Sequence, residues 1–81
     1  LESYVGDYEL RPGFVMKVSL EEDRLFTQAT GQNKFEVFPE SETTFSPREF
    51  RAKVTFVKDA GGKINGIKLN QNGRETFARK L

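Results

Sequence analysis

Turn-forming clusters interrupt this chain about every ten residues, so no regular element has room to run much longer than that. They are Arg11-Pro12-Gly13, Glu21-Glu22-Asp23, Gly31-Gln32-Asn33, Pro39-Glu40-Ser41, Pro47-Arg48, Asp59-Ala60-Gly61-Gly62 and Asn70-Gln71-Asn72-Gly73. Between them lie short runs rich in Phe and Val. This rhythm is what an antiparallel meander requires, each run being one strand and each cluster a reversal of the chain. Seven breaks imply about eight strands.

The runs alternate with a period of two, which assigns their faces. In the first, Tyr4 to Leu10, residues Tyr4, Gly6 and Tyr8 share one face, and Gly6 marks a bulge or a close backbone approach. The second points Phe14, Met16, Val18 and Leu20 one way and Val15, Lys17 and Ser19 the other. In the third, Arg24 to Ala29, the set Leu25, Thr27 and Ala29 competes with Phe26 and Gln28 for the inner face, and Leu25 inward is favoured. The fourth, Lys34 to Phe38, puts Phe35 and Val37 together and Phe38 opposite. A short fifth, Thr43 to Ser46, carries Phe45. The sixth, Phe50 to Val57, sets Phe50, Ala52, Val54 and Phe56 inward. The seventh, Lys63 to Leu69, changes parity between Ile64 and Ile67, so a bulge near Gly66 is expected. The eighth, Arg74 to Lys80, carries Phe77 and follows a strong Asn72-Gly73 hairpin signal. No segment holds an apolar stripe of helical period. A single helical turn at Pro47-Arg48-Glu49, capped by Ser46, is compatible with the residues.

At 81 residues the chain is one domain, 1–81, close to the size at which a single core becomes marginal. It has no Cys, so apolar burial must do what disulfides would otherwise do. Each large apolar side chain fully buried contributes roughly 1.5–3 kcal/mol, so about a dozen hold a small barrel together. Thirteen basic and twelve acidic residues are interspersed, with none of the clustering that nucleic-acid binding uses. No apolar run approaches the ~20 residues of a spanning helix, so membrane insertion is not expected. The chain begins at Leu1 rather than Met, and is expected to be a piece of a longer or processed protein.

The reactive groups are few. With no His and no Cys, the commonest general base, metal ligand and thiol nucleophile are missing. None of Ser3, Ser19, Ser41 or Ser46 has Lys three residues on, and Gly61-Gly62-Lys63 is a hairpin turn rather than a phosphate loop. Glu21-Glu22-Asp23 lacks the alternating ligands and the glycine of a calcium loop, and is read as a solvated turn. No catalytic residue, metal or cofactor is implied.

Aromatic residues beside basic ones, Lys34-Phe35, Phe50-Arg51 and Phe77-Ala78-Arg79, allow a single-strand nucleic-acid platform. Strand parity instead sends those rings into the core, and the charge is balanced. A lipocalin-like ligand cavity is the other binding reading, but eight strands enclose an interior their own side chains fill. The best clues to an interaction surface are Phe26 and Phe38 on the face opposite the core, joined by Tyr4 and Tyr8 with rings packed and hydroxyls wet. The competing reading is that local bulges turn these rings inward.

One ordered set of landmarks goes further: Tyr4-Val5-Gly6-Asp7-Tyr8-Glu9-Leu10, Leu25, Thr30-Gly31-Gln32, Phe38-Pro39-Glu40-Ser41, Thr44-Phe45, Val54-Thr55-Phe56, Asp59, Gly62-Lys63-Ile64-Asn65-Gly66 and Gln71-Asn72-Gly73. This set resembles the small C-terminal domain of unknown function appended to β-lactamase-related serine hydrolases, the penicillin-binding-protein-like and D-aminopeptidase-like enzymes. The resemblance implies an all-β fold, an eight-stranded antiparallel meander closing into a small lipocalin-like barrel. It implies a non-catalytic accessory role: packing on the catalytic domain of the same chain, shaping substrate access, or mediating contacts in a homo-oligomer. A periplasmic or extracellular setting follows from the same resemblance. The alternative is a barrel that binds a small ligand or cell-wall fragment. The matching positions are structural, so no functional residue carries over.

Overall fold

A computed structural model describes residues 1–81. A 3-10 turn at Glu2–Tyr4 precedes eight antiparallel strands: β1 Gly6–Arg11, β2 Phe14–Glu21, β3 Arg24–Ala29, β4 Lys34–Pro39, β5 Thr44–Ser46, β6 Ala52–Lys58, β7 Ile64–Gln71 and β8 Arg74–Lys80. Each pairs with its neighbours in sequence order, and β8 returns to β1, so the sheet is a closed barrel. The eight-stranded meander expected from the turn spacing is the observed architecture.

The turns work by local chemistry. Glu22 and Asp23, and again Asn72 and Gly73, all take positive φ, which matches the twist of a tight hairpin. Asp59 Oδ1 accepts the amides of Gly61 (2.9 Å) and Lys63 (3.0 Å), folding the β6–β7 connection over one side chain. The Glu21-Glu22-Asp23 segment is accordingly a hairpin turn, and Glu21 pairs across strands with Lys34.

Strand parity places the core. Met16, Val18, Leu25, Ala29, Val37, Phe45, Val54, Phe56, Ile67 and Ala78 are buried, with Leu10, Phe14, Leu20 and Leu69 packed against them. Val57 pairs with Gly66 but Lys58 pairs with Ile64, so Asn65 is an extra residue in β7. That bulge resets the phase and lets Ile64 and Ile67 both face inward, as their offset parity required. A second bulge at Leu10 falls between the pairs Glu9↔Val15 and Arg11↔Phe14.

Three expectations are corrected. Tyr4 is not in the first strand. It ends the 3-10 turn, whose bonds run from Tyr4 N–H to Leu1 C=O (3.0 Å) and from Val5 N–H to Glu2 C=O (3.2 Å). Phe50 is not an inward residue of the sixth strand, since β6 begins at Ala52 and Phe50 is 41% exposed. Phe77 is 51% exposed, because β8 turns Ala78 inward against Ile67 instead. The segment 47–51 forms bends and no helical turn, with Pro47 buried.

Candidate interaction surfaces

The two ends of the barrel differ. At one, the 3-10 turn folds across the opening and drives Tyr4 into the core. Its ring stacks on Phe56 with centroids 4.0 Å apart, and Phe45 meets both edge-on. Tyr8 closes the cluster against Phe56 at 5.9 Å. The hydroxyls are not wet: Tyr4 donates to the Glu42 carbonyl at 2.6 Å and Tyr8 to the Tyr4 carbonyl at 2.7 Å. Burial, and secondarily Tyr4 beside it, pushes the Tyr8 hydroxyl up to about 12. With Tyr8 wholly buried and Tyr4 7% exposed, these two rings are a plug rather than a docking patch. The expectation that they join an exposed aromatic surface is corrected.

Phe26 and Phe38 do lie on the outer face, on adjacent strands. Phe26 is opposite Glu36, two residues before Phe38. Neither ring is bare. Arg24 (5.9 Å) and Lys34 (5.1 Å) lie over Phe26, and Arg48 stands 3.8 Å from the centre of Phe38. Arg24 also grips Glu36 with two bonds, 3.0 and 2.6 Å. This fork holds the Glu36 carboxyl below, and the Arg24 guanidinium above, their usual ranges. Two of these three cations are themselves paired, Arg24 with Glu36 and Lys34 with Glu21.

At the open end, Phe35 and Phe50 meet edge-on at 4.9 Å across the mouth. The space beneath them, floored by Met16, Val37 and Val54, is about 50 Å³. That holds a few waters, against the ~300–1,000 Å³ of ordinary small-molecule sites. The three rings weighed as a nucleic-acid platform are separated. Phe35 and Phe50 face each other at the mouth, and Phe77 lies on the outside of β8.

Phe77 is the residue strand reading missed. A methyl added to Gly66 would meet its Cζ at 2.5 Å, so the ring lies across the bare backbone of the neighbouring strand. A glycine in β7 beside a Phe in β8, with Ala next to that Phe, was the available signal. Serine, carboxylate and lysine also meet, at Ser46, Glu40 and Lys53. The Lys53 Nζ is directed at Glu40 Oε1 (3.3 Å), and Ser46 and Lys53 together hold the Glu40 carboxyl low. This is an ion pair with a hydroxyl beside it. No group of three or more acidic side chains converges in a metal-holding arrangement.

The domain of unknown function described as DUF3471 matches residues 1–80. Penicillin-binding protein 4* of Bacillus subtilis (strain 168) is 42% identical over 53 residues, which is 65% of this chain and 12% of that protein. The chain thus spans about an eighth of the length of the curated relative it matches. No solved structure matches it. With the barrel and its turns accounted for residue by residue and all but the last residue matched, the chain belongs to the DUF3471 family of domains of unknown function.

Proposed function

We propose that this chain is a non-catalytic accessory domain of a β-lactamase-related serine hydrolase, acting outside the cytoplasm. The observation that carries the reading is the match to a stretch covering only 12% of a penicillin-binding protein. The remainder of such a protein has ample length for the reactive groups, while this chain has no His, no Cys and no serine followed by lysine at the third position. Its role is then mechanical: a rigid barrel packs on the catalytic domain and shapes the approach to its cleft. The outer face of β3 and β4, with Phe26 and Phe38 under Arg24, Lys34 and Arg48, supplies a surface of suitable kind. Interfaces within a chain commonly bury ~600–1,500 Å² and are fairly polar. The filled interior argues against the alternative of a barrel that engulfs a small ligand.

The test uses the full-length gene product that carries these residues and the 81-residue chain by itself. The isolated chain should leave β-lactam and D-amino-acid ester substrates untouched. Phe26→Glu with Phe38→Glu in the full-length protein should change KM or substrate range while the barrel still melts cooperatively. Turnover by the purified chain that persists through repurification, or full-length kinetics indifferent to removal of residues 1–81, would overturn the proposal.

A further inference from the structure

The seam that closes the barrel is short. β1 and β8 pair only through Tyr8↔Lys80 and Glu9↔Arg79, extended by the Leu81 N–H donating to the Asp7 C=O at 2.9 Å. Toward the mouth the ladder stops at the Leu10 bulge, and neither Leu10 nor Arg11 has a partner in β8. Arg74 to Ala78, five of the seven residues of β8, therefore have a strand on one side only.

Which backbone groups face the gap follows from the hairpin. Gln71 and Arg74 flank a two-residue turn, so they exchange both of their hydrogen bonds. Alternation then directs the N–H and C=O of Arg74, Thr76 and Ala78 to β7, and those of Glu75 and Phe77 into the gap. Leu81, of the same parity as Phe77, bonds to β1 as this alternation requires.

Two side-chain features accompany the free edge. On its inner side a groove of about 350 Å³ is lined by Leu69, Gln71, Asn72, Arg74 and Thr76, with nothing from β1. Arg74 has no carboxylate partner within salt-bridge distance. On its outer side stands the half-exposed Phe77 ring.

We propose that this edge is a strand-addition site for an extended acidic peptide. About five residues, ~17 Å of extended chain, pair with β8 between Arg74 and Ala78. Period-two alternation turns a carboxylate of the peptide to Arg74 in the groove and an apolar side chain to Phe77 outside. A second copy of the chain suits the edge less well. Two β8 strands related by a two-fold set Glu75 against Glu75, Arg74 against Ala78 or Phe77 against Phe77, and none of these gives Arg74 an anion. The proposal stands apart from the accessory-domain reading, and either can fail alone.

The probe is acetyl-Glu-Val-Glu-Val-Glu-amide, with acetyl-Lys-Val-Lys-Val-Lys-amide as its counterpart, titrated into the 81-residue chain and followed by amide NMR and hydrogen exchange. In the free protein the Glu75 and Phe77 amides should exchange about 100-fold faster than those of Thr76 and Ala78. The Glu peptide should slow them and shift residues 74–78. The Lys peptide, and a Glu peptide N-methylated at both valines, whose N–H groups face Glu75 and Phe77 in an antiparallel pair, should each bind about tenfold more weakly. Glu75→Pro removes a gap-facing donor without touching the β7 ladder and should abolish binding, while Arg74→Gln should erase the preference for Glu over Lys. Protection of Glu75 and Phe77 equal to that of Thr76 in the free protein would overturn the proposal. Binding indifferent to N-methylation, or saturation of the edge by dimerisation of the chain, would do the same.

Discussion

Removing one oxygen atom, Tyr8→Phe, should invert its effect on stability as the solution becomes alkaline. The Tyr8 hydroxyl is wholly buried and donates to the Tyr4 carbonyl at 2.7 Å. At pH 7 the variant leaves that carbonyl without its donor, a loss of about 1–1.5 kcal/mol. Alkali acts the other way. The folded-state value is raised from 10.0 to about 12, so the stability tied to the neutral phenol is complete below pH 10 and drains away as the pH climbs through 12. Two units correspond to about 2.7 kcal/mol in all, of which about half is gone at pH 11. The wild-type advantage should therefore vanish near pH 11, and the phenylalanine variant should be the more stable protein above it. Paired urea titrations at pH 7, 10, 11 and 11.5, read by far-UV circular dichroism, provide the measurement. A constant gap between the two proteins from pH 7 to 11.5 would refute the reasoning, because it would mean the hydroxyl is no harder to ionise folded than unfolded.

Gly66→Ala should cost about 1–3 kcal/mol, since its methyl would lie 2.7 Å from the Ala78 carbonyl oxygen as well as against the Phe77 ring. The ring can swing away but the carbonyl cannot, so adding Phe77→Ala should recover little of the loss in a thermal melt. Asn72→Ala, at φ 53, should lower stability by about 1 kcal/mol, whereas Asn72→Gly should stay within about 0.5 kcal/mol of the parent in the same melts.

The architecture was legible because the turns carry their own chemistry. Asn72-Gly73 and Asp59 through Gly62 fold back wherever they stand, and the strands between them have no alternative partners. Facing was legible where a run repeats apolar residues at alternate positions, as Phe14, Met16, Val18 and Leu20 do, or Val54 and Phe56. It failed at the ends. Tyr4, Gly6 and Tyr8 share the parity of a strand, but a barrel end must be closed by something. The chain closes it by winding Glu2–Tyr4 into a turn that drops the Tyr4 ring onto Phe56. At the other end Phe50 reads as the first inward residue of a strand, yet the connection after β5 carries it over the mouth to Phe35. Neither closure is written in a period of two.

The outward Phe77 shows why the interaction surface was harder to read than the core. In β8 each face offers a single apolar residue, Phe77 or Ala78, and size alone favours burying the phenylalanine. What decides is the opposing strand. Ile67 occupies the interior beside Ala78, leaving space there for a methyl but not for a ring, while Gly66 leaves bare backbone outside that a ring covers. Of the ten aromatic side chains only Tyr4, Tyr8, Phe45 and Phe56 are fully buried. Of the other six, Phe14 packs against the core beneath Arg11, and five sit under cations, across the mouth or on the outer wall. A barrel this small is filled by four rings with Phe14 at their edge, so the remaining five lie outside the core.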